Sequence, residues 1–234
     1  MTSVIVPTLF DYSLSDTLVT SHTITRADAE QLFSFFSGHK IFKWNESHNG
    51  CEARADAVCV LLDAWHIPNC KAWVFGGKYL KNHVGALKKN WNYHVAPVLQ
   101  VKEETGIVFY VLDPATANCL QPIADWAAAI TMLPHSYHFF MQSHWYIFRG
   151  NDIKRSNWHT RNRQNRKWMI QGLAGINSLS ARGKAQLCFN KGRIKNTDTA
   201  FRRLKKLSAF ISVPSEFSQD TLSNKMPVSE NPTK

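Results

Sequence analysis

The sequence predicts an α+β domain followed by a basic segment, and three observations support this. Two amphipathic helical patterns come first, and patterns typical of antiparallel strands follow them. Hydrophobic residues make up 44% of the 234 residues, which is enough for a packed core and excludes a chain that is disordered throughout. The net charge is −2 over residues 1–148, +14 over 149–206 and −1 over 207–234. A near-neutral body therefore carries a basic extension.

Two helices are expected in the first third of the chain. Thr25 and Asp28 match a helix-capping pattern, and the apolar face that follows them predicts a helix over 26–37. A second helix is predicted over 51–65 because four apolar residues recur at helical spacing, namely Ala55, Val58, Cys59 and Leu62.

Strand patterns occupy the middle of the chain. Strands are predicted at 71–75, 93–101, 107–112 and 137–148 (the last as one or two strands), and a short helix at 123–133. The turn signal at 102–106 joins the second and third strands into a hairpin. Pro97 lacks a backbone N–H, so it indicates an edge position or a bulge.

Composition divides the chain into four segments. We expect an extended lead-in over 1–24, a main domain over 25–150, a basic helical extension over 151–212 and a disordered tail over 213–234. The extension is expected to pack on or beside the domain, with Phe201, Leu204 and Leu207 on one face of a helix at 200–210. Residues 151–206 are basic enough to bind an acidic partner or an anionic surface, nucleic acid or lipid included.

Three residues in the main domain suit nucleophilic catalysis. Cys51 follows a glycine at a predicted helix start, where unpaired backbone N–H groups and the helix dipole are expected to lower the pKa of a thiol. His94 begins one strand of the hairpin and Asp113 ends the other, which places both near the same end of the hairpin and allows a His–Asp contact. Each residue also has an ordinary structural interpretation: a core thiol, a hydrogen-bonded strand histidine and an Asp-Pro turn.

Short motifs around these residues resemble the bacterial protein-glutaminase family. The resemblance rests on Asn49-Gly-Cys51-Glu-Ala-Arg-Ala55, Trp73-Val-Phe-Gly76, Trp91-Asn-Tyr93-His94-Val-Ala96 and Leu112-Asp113-Pro114 followed by Trp126. It covers about residues 45–130. The resemblance implies a papain/transglutaminase-like core, with the catalytic Cys at a helix N-terminus and the His and Asp on adjacent antiparallel strands. It therefore makes 25–150 the catalytic domain.

The resemblance also implies a reaction. Cys51 would be the nucleophile, His94 the general acid and base, and Asp113 the residue that orients His94 during deamidation of protein glutamine side chains to glutamate, with release of ammonia. Asn49, Trp73, Trp91 and Tyr93 are candidate substrate-binding residues. Three alternatives stay open, two of which use the same triad: a cysteine protease, a transglutaminase-type acyl transferase and a non-catalytic basic binding protein.

The remaining expectations concern ligands and location. No cofactor is expected, and the histidines His135, His138 and His144 lack an acidic or Cys partner at metal-site spacing. Cys70 and Cys119 are open to pairing or to staying reduced. No stretch is long and apolar enough for a membrane helix, and the first residues lack a Sec signal pattern. We therefore expect a protein of the bacterial cytoplasm or one delivered into a host cell by a specialised secretion system, with a protein that exposes a glutamine as its substrate.

Overall fold

The structure is a computed structural model that describes residues 23–45, 50–75, 93–130, 137–142, 158–176 and 181–207. The expected disordered tail and nearly all of the expected lead-in lie outside these residues. Within them, helices are α1 (Arg26–Gly38), α2 (Cys51–Ala64), α3 (Ile123–Ile130), α4 (Trp158–Leu173), α5 (Ala181–Phe189) and α6 (Lys191–Lys205). Strands are β1 (Ile24–Thr25), β2 (Asn69–Phe75), β3 (Tyr93–Glu103), β4 (Gly106–Val111), β5 (Gln121–Pro122) and β6 (Tyr137–Gln142).

The described strands form one mixed sheet in the order β5-β4-β3-β2-β6. Neighbours in this order are antiparallel, and the short β1 pairs in parallel with the end of β3. Helices cover both faces. The larger core joins one face of the sheet to α1, α2, α4 and α6, and a smaller core joins the other face to α3. This arrangement is α+β, as the sequence predicts.

Helices α1 and α2 begin where the sequence places them. Thr25 caps α1: its hydroxyl accepts a hydrogen bond from Asp28 N at 3.1 Å, and the Asp28 carboxylate accepts one from Thr25 N at 3.3 Å. This is a capping box with Asp in place of Glu. Helix α2 is more deeply buried than its apolar stripe indicates, because Arg54 and Asp56 are buried as well. It is therefore the central helix of the larger core.

The β3–β4 hairpin differs from expectation at Pro97. β3 is an interior strand with β2 on one side and β4 on the other, so Pro97 is not in an edge strand. The β4 ladder stops at Val98, which pairs with Val111, and Leu112 N donates to Pro97 O at 2.9 Å just beyond. Pairing with β2 continues through Pro97, but pairing with β4 ends there. The Pro97 carbonyl faces β4, so the missing N–H lies on the side where no further ladder bond is formed.

The basic extension folds onto the main domain within the described residues. Helix α4 packs against α2, and α6 packs against α4 and α2. Five apolar side chains of the two helices join the larger core, namely Met169, Ile170, Leu173, Phe201 and Leu204. Leu207 differs from the expected helical face, since α6 ends at Lys205 and the Leu207 side chain is exposed. None of the helices in the described part of the chain is long and apolar enough to cross a membrane.

Candidate active site

Cys51 is the first residue of α2. Gly50 caps the helix with a φ of 107°, a left-handed conformation that costs glycine little and side-chain-bearing residues more. The first regular helical bond runs from Arg54 N to Gly50 O at 2.9 Å. The backbone N–H groups of Cys51 and of the two residues after it therefore have no hydrogen-bond acceptor within the helix. The thiol is buried, with 6% of the residue exposed, beside a cluster of backbone donors.

His94 and Asp113 are in direct contact. His94 Nε2 and Asp113 Oδ2 are 2.7 Å apart, and both residues are buried. His94 is the second residue of β3, and Asp113 follows β4 where the ladder has ended. The hairpin thus brings together residues that are 19 positions apart, and the sequence-based expectation of a His–Asp pair agrees with this contact.

Two further side chains hold the Asp113 carboxylate. Thr116 donates a short hydrogen bond through its hydroxyl to Oδ2, and Trp126 Nε1 donates to the same oxygen at 3.2 Å. Burial by itself raises the pKa of Asp113, but the charge and hydrogen bond of His94 and the two additional donors lower it below its ordinary value. Asp113 is therefore a carboxylate at neutral pH and can stabilise a positive charge on His94.

The Cys51 sulfur lies against the peptide group that joins His94 to Val95. The Val95 backbone N–H hydrogen-bonds the sulfur. Alternation along β3 places Val95 on the α2 side of the sheet and His94 on the α3 side, where its ring is 6.0 Å from that of Trp126. The thiol and the His–Asp pair therefore both lie at the start of β3, on either side of the sheet.

The thiol of Cys51 is protonated at rest. Burial raises its pKa well above the ordinary value, and the negative charge of Glu52 raises it further. The positive charge of Arg54 and the Val95 N–H lower the pKa of Cys51, but it stays above its ordinary value. The expectation of a lowered pKa is therefore wrong for the resting structure, because desolvation of the buried thiol outweighs the groups that lower its pKa.

Glu52 connects the thiol to β3. Its Oε2 accepts a hydrogen bond from the Cys51 thiol at 3.4 Å, and its Oε1 accepts a short hydrogen bond from the Tyr93 hydroxyl. Trp73 supports this arrangement from β2, since its ring lies 5.4 Å from that of Tyr93 and the residue is only 1% exposed. Tyr93 is thus within the site, whereas Trp73 packs behind it.

Buried charges lie near the site that the sequence pattern does not predict. Arg54 is 4% exposed, lies 5.9 Å from the Trp44 ring and faces Gly50. Lys71 Nζ and Asp56 Oδ1 form a fully buried ion pair at 2.5 Å. Arg54 belongs to the motif around Cys51, so this motif could have pointed to Arg54 as a residue of the site. No signal existed for the pair, because its members lie on different elements.

Several candidates fall elsewhere. Asn49, Trp91, His135 and His144 lie outside the described residues, as does the side chain of His138. All five cysteines are free; Cys59 and Cys70 are buried in the core, whereas Cys119 and Cys188 are exposed. The interpretation of Cys59 as a core thiol agrees with this, and Cys70 and Cys119 are not paired with each other.

Comparison with known proteins agrees with the motifs. Residues 20–130 match the family model described as glutaminase. No curated protein matches the chain significantly.

Solved structures similar to the chain are protein-glutaminases. A mutant of pro-protein-glutaminase superimposes with a TM-score of 0.52 at 17% identity, covering 66% of this chain and 59% of that one. A crystal structure of protein-glutaminase has a TM-score of 0.49 at 19% identity, and the solution structure of protein-glutaminase from Chryseobacterium proteolyticum has 0.45 at 18%; each comparison covers 65% of this chain and 91% of that one. The superposition on the pro-form confirms the fold class.

Proposed function

We propose that this chain, whose residues 20–130 match the glutaminase family model, deamidates glutamine side chains of proteins to glutamate through a thioester on Cys51. One observation carries the proposal. His94 forms a buried pair with Asp113 and lies on β3 one residue before Val95, whose backbone N–H faces the Cys51 sulfur at the start of α2. A thiol, an imidazole and an orienting carboxylate are the groups that acyl transfer through a cysteine requires.

The first half of the reaction forms the thioester. Asp113 holds His94 Nε2, so Nδ1 is the ring nitrogen that accepts the Cys51 proton as the sulfur attacks the carboxamide carbon. The backbone N–H of Cys51 stabilises the resulting oxyanion. His94 then gives the proton to the leaving nitrogen, which departs as ammonia.

The second half regenerates the thiol. His94 takes a proton from water as the water attacks the thioester carbon, and the C–S bond breaks to release the glutamate side chain. The proton on His94 returns to the sulfur. Asp113 stabilises the imidazolium in both halves, which is why its lowered pKa matters.

The test is ammonia release and a mass change on a glutamine-containing protein. We expect wild-type protein to release ammonia and to add roughly one dalton per converted amide, and Cys51→Ala to do neither while it stays folded. Cys119→Ala and Cys188→Ala are matched controls, because both thiols are exposed and outside the site. Full activity of Cys51→Ala would disprove the proposed nucleophile.

The same incubation separates the proposed reaction from its alternatives. A protease would shorten the substrate chain, and a transglutaminase-type enzyme would incorporate a primary amine in place of water. We expect ammonia release with neither chain cleavage nor amine incorporation. A purely binding protein would release no ammonia.

We also propose that the basic surface recognises acidic protein partners or substrates. This surface consists of the exposed cations of α6 and the residue after it: Lys191, Arg193, Lys195, Arg202, Arg203, Lys205 and Lys206. Asp198, the one acidic residue of α6, is occupied by Arg166 at 2.9 Å and Arg202 at 2.8 Å. Phe189, 88% exposed at the end of α5, adds an apolar contact next to it.

Its test compares two substrates. The triple charge reversal Arg203→Glu, Lys205→Glu and Lys206→Glu should raise KM for an acidic protein by about tenfold at low salt and leave a short blocked glutamine peptide unaffected. Lys102→Glu, an exposed reversal on β3, is the control. An unchanged and salt-independent KM for the acidic protein would exclude this surface.

A further inference from the structure

Glu52 is a charged residue in direct contact with the proposed nucleophile. Its carboxylate accepts hydrogen bonds from the Cys51 thiol and from the Tyr93 hydroxyl, one on each oxygen. Tyr93 thereby fixes the position of the carboxylate, and Trp73 packs against Tyr93. Glu52 is only partly buried, whereas Cys51 is buried, so the carboxylate is the more accessible of the two hydrogen-bonded groups.

We propose that Glu52 is a specificity-determining residue that accepts a hydrogen bond from the NH2 of the substrate carboxamide and repels the carboxylate of the product. The inference rests on the proposed function. A carboxylate is an acceptor only, so it matches the two N–H donors of a primary amide and offers nothing to an ester oxygen. Its Oε2 is 3.4 Å from Sγ, which is within reach of the nitrogen of a carboxamide that is bonded to the attacked carbon.

Charge gives the same residue a second effect. Hydrolysis converts a neutral amide into an anion at the same position, and two carboxylates at short distance disfavour each other. The product is therefore bound more weakly than the substrate, although the two differ by one group. In the free enzyme Glu52 accepts a hydrogen bond from the Cys51 thiol instead. The arriving amide then replaces the thiol as the hydrogen-bond donor to Glu52.

The experiment compares wild-type protein with Glu52→Gln, which keeps the shape and removes the charge. Two quantities are measured on short blocked peptides: the inhibition constant of the glutamate product, and the ratio of kcat/KM for the glutamine amide to that for the corresponding γ-methyl ester. We expect Glu52→Gln to bind the product about tenfold more tightly and to lower the amide-to-ester ratio about tenfold.

Controls separate this inference from structural effects. Glu104→Gln makes the same charge change in the exposed turn at the other end of β3 and should alter neither quantity. Tyr93→Phe removes the hydroxyl that positions Glu52 and should lower the amide-to-ester ratio in the same direction, by less. Glu52→Ala replaces Glu52→Gln if that variant does not fold.

The outcomes distinguish the two proposals. Ammonia release by wild-type protein with an unchanged inhibition constant and amide-to-ester ratio in Glu52→Gln overturns the role of Glu52 and leaves the proposed function intact. No ammonia release by wild-type protein overturns both. Tighter product binding that also appears in Glu104→Gln assigns the effect to net charge and overturns the role of Glu52 as well.

Discussion

Replacing Asp113 by Asn tests the proposed triad most directly. The substitution keeps the size of a side chain that is only 2% exposed and leaves an amide oxygen that can still accept from Thr116 and Trp126. What disappears is the negative charge that faces His94. The effect should therefore fall on the charged intermediate of the reaction and much less on the fold.

The expected magnitude follows from the distance between His94 Nε2 and Asp113 Oδ2. For unit charges at that separation, 2.7 Å, an effective dielectric constant of about 20 gives an attraction of about 6 kcal/mol, which corresponds to roughly four decades in rate. The amide dipole retains part of this stabilisation. We expect kcat/KM to fall between about 10³-fold and about 10⁴-fold, with unfolding destabilised by about 1–3 kcal/mol.

The assay is ammonia release from a blocked glutamine peptide, accompanied by urea unfolding of each variant. Asp125→Asn is the matched control, since it makes the same change at an exposed position in the first turn of α3. A folded Asp113→Asn variant with kcat/KM within about threefold of wild type would refute the reasoning, because a charge held at hydrogen-bond distance would then contribute nothing.

Three further predictions concern the surroundings of the site. The rate of Cys51 alkylation by iodoacetamide should rise about tenfold per pH unit from about pH 6 to about pH 9, since the raised pKa keeps the thiol protonated; a flat profile would indicate a preformed thiolate. Lys71→Met should lower the free energy of unfolding, measured with urea, by about 3–5 kcal/mol because it leaves Asp56 buried and unpaired. Adding Asp56→Leu should restore most of this stability. A double variant less stable than Lys71→Met would contradict the prediction. Gly172→Ala should lower the free energy of unfolding by about 1–3 kcal/mol, because the added Cβ would lie 2.5 Å from the Cβ of Ala53. Combining it with Ala53→Gly should relieve this clash. If the stability losses of the two substitutions simply add, this contact is excluded as the cause.

Local pattern was sufficient to predict the elements that position the site. The capping box at Thr25, the helix that starts at Cys51 and the hairpin that joins His94 to Asp113 all follow from short-range spacing. Such features depend on residues a few positions apart, which is the range over which helical and strand periodicity acts. The family resemblance, confirmed by the model match over residues 20–130, added the expected roles.

Features that depend on tertiary packing could not be predicted in this way. Arg54 and Asp56 look like solvent-facing charges on an amphipathic helix, but α4 and β2 cover the sides of α2 on which a lone helix would be exposed. Lys71, the partner of Asp56, sits in an apolar strand pattern. The raised pKa of Cys51 has the same origin, because the degree of burial depends on elements distant in the chain.

The end of the β4 ladder at Val98 and Val111 limits how this gene can change in length. Adding one residue to each strand beside the Glu104–Thr105 turn would lengthen the hairpin at its far end. The distance in space between His94 and Asp113 would not change. A single-codon deletion within β4 would instead turn every following side chain to the opposite face and point the carboxylate away from the imidazole. Insertions and deletions should therefore be tolerated at the turn and eliminated by selection within the strand.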